Sequence, residues 1–241
     1  MMNSFARTCL AALSIIMVAH SVAAQSGVKS PNSKWVIDTG QAPGNIPGVN
    51  EGTFSADNVD FVQGVMRLKL TQTGSAPVQS VGAEVRSVGT YGYGTYEWTI
   101  RTSSTATTPY GAGEVVSGQI SSGFTFINNS QTEIDFEIEG QNPDTVWMTN
   151  WNGINNKDYS SAYFANPDQG FHKYKFVWSP GRIDFYLDGS LVSTHTQNIP
   201  SAPAYIMANH WGTNSTGWGG LATVGVTRYM YISRFTFKPA H

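Results

Sequence analysis

Residues 171–196 read FHKYKFVWSPGRIDFYLDGSLVSTHT. Three short runs rich in aromatic and β-branched residues are separated by Ser179-Pro180-Gly181 and by Asp188-Gly189. Asp-Gly is a strong signal for a two-residue hairpin, because the central positions of such a turn need positive φ. The stretch therefore predicts antiparallel strands, and the same punctuation continues on both sides of it. Further candidate strands fall at residues 65–71, 83–88, 94–101, 118–127, 132–139, 145–151 and 227–237, beside those at 172–178, 182–187 and 191–196. Beyond the N-terminal segment there is no long amphipathic helical pattern. Short strands at this spacing predict an all-β class, an antiparallel sandwich or jelly roll.

Composition bounds what such a fold can do. Residues 1–24 carry Arg7, an apolar run and then Val22-Ala23-Ala24, the three parts of a secretory signal peptide. The apolar run is shorter than the roughly 20 residues that a spanning helix needs. Cleavage after Ala24 is expected, which gives a secreted protein, extracellular or periplasmic, with no membrane attachment afterwards. It also removes Cys9, the single cysteine, so disulfides, thiol nucleophiles and thiolate metal sites are excluded from the mature chain. No repeat or low-complexity linker divides residues 25–241, which are read as one domain with 25–33 a loose lead. Removing Arg7 leaves 13 basic against 16 acidic residues, a balance that argues against nucleic acid as a partner. A charged fraction of only 12% beside 7 Trp, 11 Tyr, 12 Phe and 25 Gly fits a neutral ligand held against aromatic faces, as sugars are. A monomer with no cofactor and no metal site is expected.

The chemistry lies in Gln131-Thr132-Glu133-Ile134-Asp135-Phe136-Glu137-Ile138-Glu139-Gly140. Side chains alternate across a strand, so Ile134, Phe136 and Ile138 share a core face while Glu133, Asp135 and Glu137 share the other. A stability-driven surface mixes charge signs, whereas this face has no Lys or Arg. At roughly 3.3 Å per residue the α-carbons of Glu133 and Glu137 lie about 13 Å apart. Two Glu side chains reaching toward each other would leave about 5 Å, close to the spacing of retaining glycosidases and narrower than that of inverting ones. Asp135 between them couples the titrations and helps one group to hold a proton while another is ionised.

EIDFEIEG resembles the E-x-D-x-E signature of glycoside hydrolase family 16, the family of lichenase- and laminarinase-like β-glucanases, in the unbulged form seen in lichenases and xyloglucan-active relatives. The resemblance spans residues 82–237. GAEVRS resembles the cleft strand, with Glu84 and Arg86 as lining residues, and SSGFTF resembles the strand before the catalytic one, with Phe124 or Phe126 facing the sugar. IMANHWGT matches the segment that supplies Asn209 and Trp211, the latter read as a sugar platform on an exposed loop. Trp151 is a candidate wall residue. The resemblance implies a concanavalin-like jelly-roll β-sandwich of two curved antiparallel sheets, and a single catalytic domain. It further implies Glu133 as nucleophile, Glu137 as acid/base and Asp135 as the tuning residue, in an endo-acting retaining hydrolase of β-1,3 or mixed β-1,3-1,4 glucan. A transglycosylase with the same glutamates, and a non-catalytic sugar-binding protein of the same fold, are the alternatives. The sequence departs from the lichenase pattern at Gln131, where a Trp is usual, and along Trp147, Thr149 and Trp151. Met230 stands where relatives carry a calcium-binding aspartate.

Overall fold

The computed structural model describes residues 28–29 and 35–240, so the expected signal peptide lies outside the described residues. In chain order the strands begin with β1 (Val28–Lys29), β2 (Trp35–Asp38), β3 (Gly40–Gln41), β4 (Asn50–Phe54), β5 (Val59–Val62) and β6 (Val65–Thr73). Next come β7 (Val78–Tyr91), β8 (Gly94–Ser104), β9 (Gln119–Ile127), β10 (Thr132–Glu139), β11 (Thr145–Trp151) and β12 (Lys157–Tyr163). The chain continues through β13 (His172–Ser179), β14 (Arg182–Leu187), β15 (Ser190–His195), β16 (Ala204–Gly212) and β17 (Arg228–Pro239).

Register divides these strands into two antiparallel layers. The front sheet runs β1-β2-β7-β16-β9-β10-β11-β12. The back sheet runs β5-β6-β17-β8-β13-β14-β15. The start of β7 also pairs with the end of β6 and, in parallel, with β4, which ties the layers along one edge. The fold is the expected jelly-roll sandwich, and both predicted hairpins at 172–195 are present. Asp188 and Gly189 adopt φ of 46° and 86° at the tight turn, as an Asp-Gly hairpin requires.

The core is the space between the layers. Ile134, Phe136 and Ile138 of β10 are buried in it with Trp98, Tyr174, Phe176 and Phe185 of the back sheet. Phe136 meets Phe185 and Tyr174 edge-on, with ring centroids 5.4 and 5.7 Å apart. Burying a side chain of this size stabilises by roughly 1.5–3 kcal/mol, so the apolar face of β10 fixes which face looks outward. Gly123 of β9 lets the layers approach here, since a Cβ would lie 3.1 Å from Ile100 and 3.2 Å from Trp98.

Several strands are absent from the sequence-based expectation. The most consequential is β16, the central strand between β7 and β9, which the Gly- and Asn-rich surroundings had marked as loop. Eight of its nine residues are buried, so both faces are covered and no alternation survives in the sequence. β12, with sequence KDYSSAY, is an edge strand whose polar residues resemble a loop.

Candidate active site

The outer face of the front sheet can be read row by row from the register. Glu133 lies between Phe126 of β9 and Trp151 of β11. Asp135 lies between Phe124 and Thr149, and Glu137 between Ser122 and Trp147. The rows extend across β16 to β7: Phe124 faces Met207, which faces Arg86, and Ser122 faces Asn209, which faces Glu84. One strand face therefore carries Glu133, Asp135 and Glu137 together. The same face holds Glu84, Arg86, Phe124, Trp151, Asn209 and Trp211.

Electrostatics separates the three carboxyls. Burial pushes Glu133 up to about 7, and the hydroxyl of Ser130, donating to its Oε2, opposes that rise. Burial pushes Glu137 higher, to about 8, aided by the charges of Glu133 and Glu139 and opposed by Lys157. Asp135 is raised well above the usual carboxylate range by burial, then by Glu137 and Glu133, although Thr149 hydrogen-bonds its carboxyl. Its Oδ1 is buried without a hydrogen-bond partner. A negatively charged Asp135 in that position is disfavoured, first by burial and then by its two neighbouring carboxyls. Of the two glutamates, Glu133 gives up its proton first, while Glu137 still carries one. That is the division of labour two-carboxylate catalysis needs.

The left wall is a polar chain. Asn209 Nδ2 donates to Glu84 Oε2 at 3.1 Å, and burial pushes Glu84 up to about 8. Arg86 pairs with the buried Asp38 at 2.9 Å and lies 4.9 Å above the Tyr205 ring, which fixes its guanidinium at the wall. Asp38 on β2 is a member of this wall that sequence reasoning missed, since β2 lies outside every predicted strand. On the right wall, Lys157 Nζ stands 5.0 Å from the centre of Trp151, a cation–π contact.

One expectation needs correction. Trp211 is on the right face but is a strand residue, only 6% exposed, packed with Ala42, Phe54 and Ile120 beneath the chain that follows β3. Gly44 lies so close that a Cβ there would come within 2.8 Å of the Trp211 ring. Its ring thus serves a second small core at one end of the face rather than an exposed loop platform. Glu139, the next residue on the acidic face, is 2% exposed. Its carboxylate accepts hydrogen bonds from the Trp147 indole (3.1 Å), the Gly219 amide (2.9 Å), Gln141 and Asn142. It holds the loop carrying Trp218, whose ring packs edge-on against Trp147 at 5.9 Å. His195 and His210 are tied into the structure: His195 bridges Asn150 and Ser160, and His210 bridges the Ile120 carbonyl and Ser103. Met230 is fully buried in the main core. Among the described residues, no group of three or more His, Cys, Asp or Glu side chains is arranged to hold a metal ion.

A jelly roll with a row of mutually coupled carboxyls, flanked by aromatic and amide side chains, fits a glycoside hydrolase. Residues 49–228 match the family model described as glycosyl hydrolases family 16, and the chain belongs to that family. It is 37% identical over 196 residues to a beta-glucanase of Paenibacillus macerans, covering 78% of this chain and 76% of that protein. A beta-glucanase of Bacillus amyloliquefaciens is 32% identical over 222 residues, covering 86% of each. The solved structure of the Bacillus licheniformis beta-glucanase superposes with a TM-score of 0.73 at 26% identity, covering 90% of this chain and 97% of that one. No helix among the described residues is long and apolar enough to cross a membrane.

Proposed function

We propose that the protein is a secreted, endo-acting, retaining β-glucanase that cleaves β-1,3 or mixed β-1,3-1,4 glucan by double displacement. The observation that carries the reading is the common outward face of Glu133, Asp135 and Glu137 on β10, with Phe124 and Trp151 beside them. The kinship with beta-glucanases supports the polymer class. Glu133, ionised first, attacks the anomeric carbon while Glu137 gives its proton to the leaving oxygen. Water then enters, loses a proton to Glu137, and releases the sugar from Glu133. Asp135 holds a proton between them and limits the charge of the cluster. Glu84, Arg86 and Asn209 are the hydrogen-bonding wall for sugar hydroxyls, and the small exposed remainder of Phe124 and Trp151, 7% and 8%, is the apolar floor beside the carboxyls. The chain acts as a monomer outside the cytoplasm.

Hydrolysis is favoured over transglycosylation by the state of Trp147. An acceptor platform needs a free ring face, and this indole is tied to Glu139 and packed on Trp218. Replacing Glu133 with Gln is expected to lower activity more than a hundredfold while leaving the melting temperature nearly unchanged. The assay is reducing-end release from laminarin, mixed-linkage glucan, xyloglucan and a bacterial exopolysaccharide. More than a few per cent of residual activity on the preferred polymer would refute the assignment.

A further inference from the structure

The turn between β9 and β10 is unusual in its backbone. Asn128, Asn129 and Ser130 have φ of 45°, 51° and 58°, three successive non-glycine residues in the left-handed region. Each such residue is disfavoured by the clash of its Cβ with the backbone, and Asn tolerates the conformation better than Ser does. Strain of this kind persists where surrounding structure enforces it, and it clusters at functional sites. Here the enforcement is explicit. The Gly153 amide donates to the Ser130 carbonyl at 2.7 Å, which clamps the turn to the segment following Trp151. The Gln131 amide closes the turn on the Asn128 carbonyl at 3.0 Å, and the Thr132 hydroxyl anchors the strand entry to the Ala202 carbonyl at 2.7 Å.

The product of this strain is one contact. Ser130 is 1% exposed, and its hydroxyl donates to Glu133 Oε2 at 2.5 Å. Three residues apart, the two side chains meet only because the turn is left-handed; an extended path through 130–133 would point Ser130 and Glu133 to opposite faces. We infer that Ser130 is a positioning residue for the nucleophile, holding one carboxylate oxygen of Glu133 so that the other is presented to the anomeric carbon. This rests on the reading of Glu133 as nucleophile.

The hydroxyl has a second effect of known sign. A hydrogen bond donated to a carboxylate favours its ionised form. The charged and titratable groups facing Glu133 are Asp135 and Glu137 on β10, Glu84 on β7 with the Asp38–Arg86 pair behind it, and Lys157 on β12. β9 and β16 bring Phe126 and Tyr205 to this row. Most of these neighbours are carboxyls, and the Ser130 hydroxyl is the contact that lowers Glu133 against the rise caused by its burial.

The test compares Ser130→Gly with Ser130→Ala. Both remove the hydroxyl, and glycine also adopts the left-handed backbone without strain, so the Gly variant separates loss of the hydroxyl from loss of fold. The expected result for Ser130→Gly is a fall in kcat of roughly ten- to a hundredfold, the scale of a hydrogen bond to a charged group. KM should change little, and the acidic limb of the kcat/KM profile should move to higher pH. An unmoved acidic limb with kcat within twofold of wild type overturns the inference. So does an unmoved limb accompanied by a large fall in melting temperature, which would make the hydroxyl a fastener of the turn alone. The Glu133→Gln variant keeps the two claims apart. If it is inactive while Ser130→Gly behaves as wild type, the positioning role fails and the nucleophile stands; if it is active, the nucleophile assignment itself fails.

Discussion

At Glu137, burial and the charges of Glu133 and Glu139 act in the same direction and hold the proton up to about 8. Glu133, with Ser130 opposing burial, gives up its proton near 7. The kcat/KM profile should therefore be a narrow bell, its acidic limb near 7 and its alkaline limb near 8. A broad plateau from pH 5 to 9 would contradict this ordering. The same shift has a stability consequence. In the unfolded chain Glu137 ionises near its ordinary value of 4.5, while the folded chain keeps it protonated to about 8. Its contribution to stability is thus complete below about pH 4.5 and is lost as pH rises through 8. Glu137→Gln, which cannot ionise, should melt above the wild type at pH 9 and level with it at pH 4. Thermal unfolding at the two values checks this, and equal melting temperatures at pH 9 would contradict it. These carboxyls were visible in the sequence because alternation alone puts them on one face. The link from Ser130 to Glu133 was not, since it exists only through a left-handed turn that no composition signal announces.

Elements were legible in proportion to how differently their two faces are treated. β10 has an apolar face in the core and an acidic face outward, so the pattern was unambiguous. β16 is covered on both faces, by the core beneath and by the chain around Ala42 and Phe54 above at Trp211, so it shows no strand alternation and its Gly and Asn residues read as loop. Knowledge of a motif could find Asn209 there, but periodicity could not. The apolar face of β10 is also what aims its acids. Phe136→Ala should cost about 3–5 kcal/mol in denaturant unfolding, through lost transfer energy and a cavity beside Phe185 and Tyr174. A cost below 1 kcal/mol would mean that β10 is held by something other than its packing. Glu139→Ala should cost on the order of 2–4 kcal/mol, because the Gly219 amide and the Trp147 indole lose their acceptor. Faster proteolysis at the segment around Trp218 should accompany it.

The whole molecule assigns its tasks by layer. The back sheet supplies the aromatic mass against which the front sheet packs, and the register of the front sheet aligns the carboxyls with the wall residues. β7, shared between the layers, brings Glu84 and Arg86 into line with Asn209 and Met207 without any loop intervening. Buried His210 sits directly behind this wall, with burial holding its imidazole down to about 3. It stays neutral in the folded chain while the unfolded chain protonates near 6.5, so stability falls as pH drops from 6.5 toward 3. The central claim is that two glutamates four residues apart on one strand work from opposite sides of the same bond by double displacement. It is tested most directly by proton NMR of the first reducing ends released from a β-glucan, read before mutarotation. The account predicts the β-anomer, and first release of the α-anomer would contradict it.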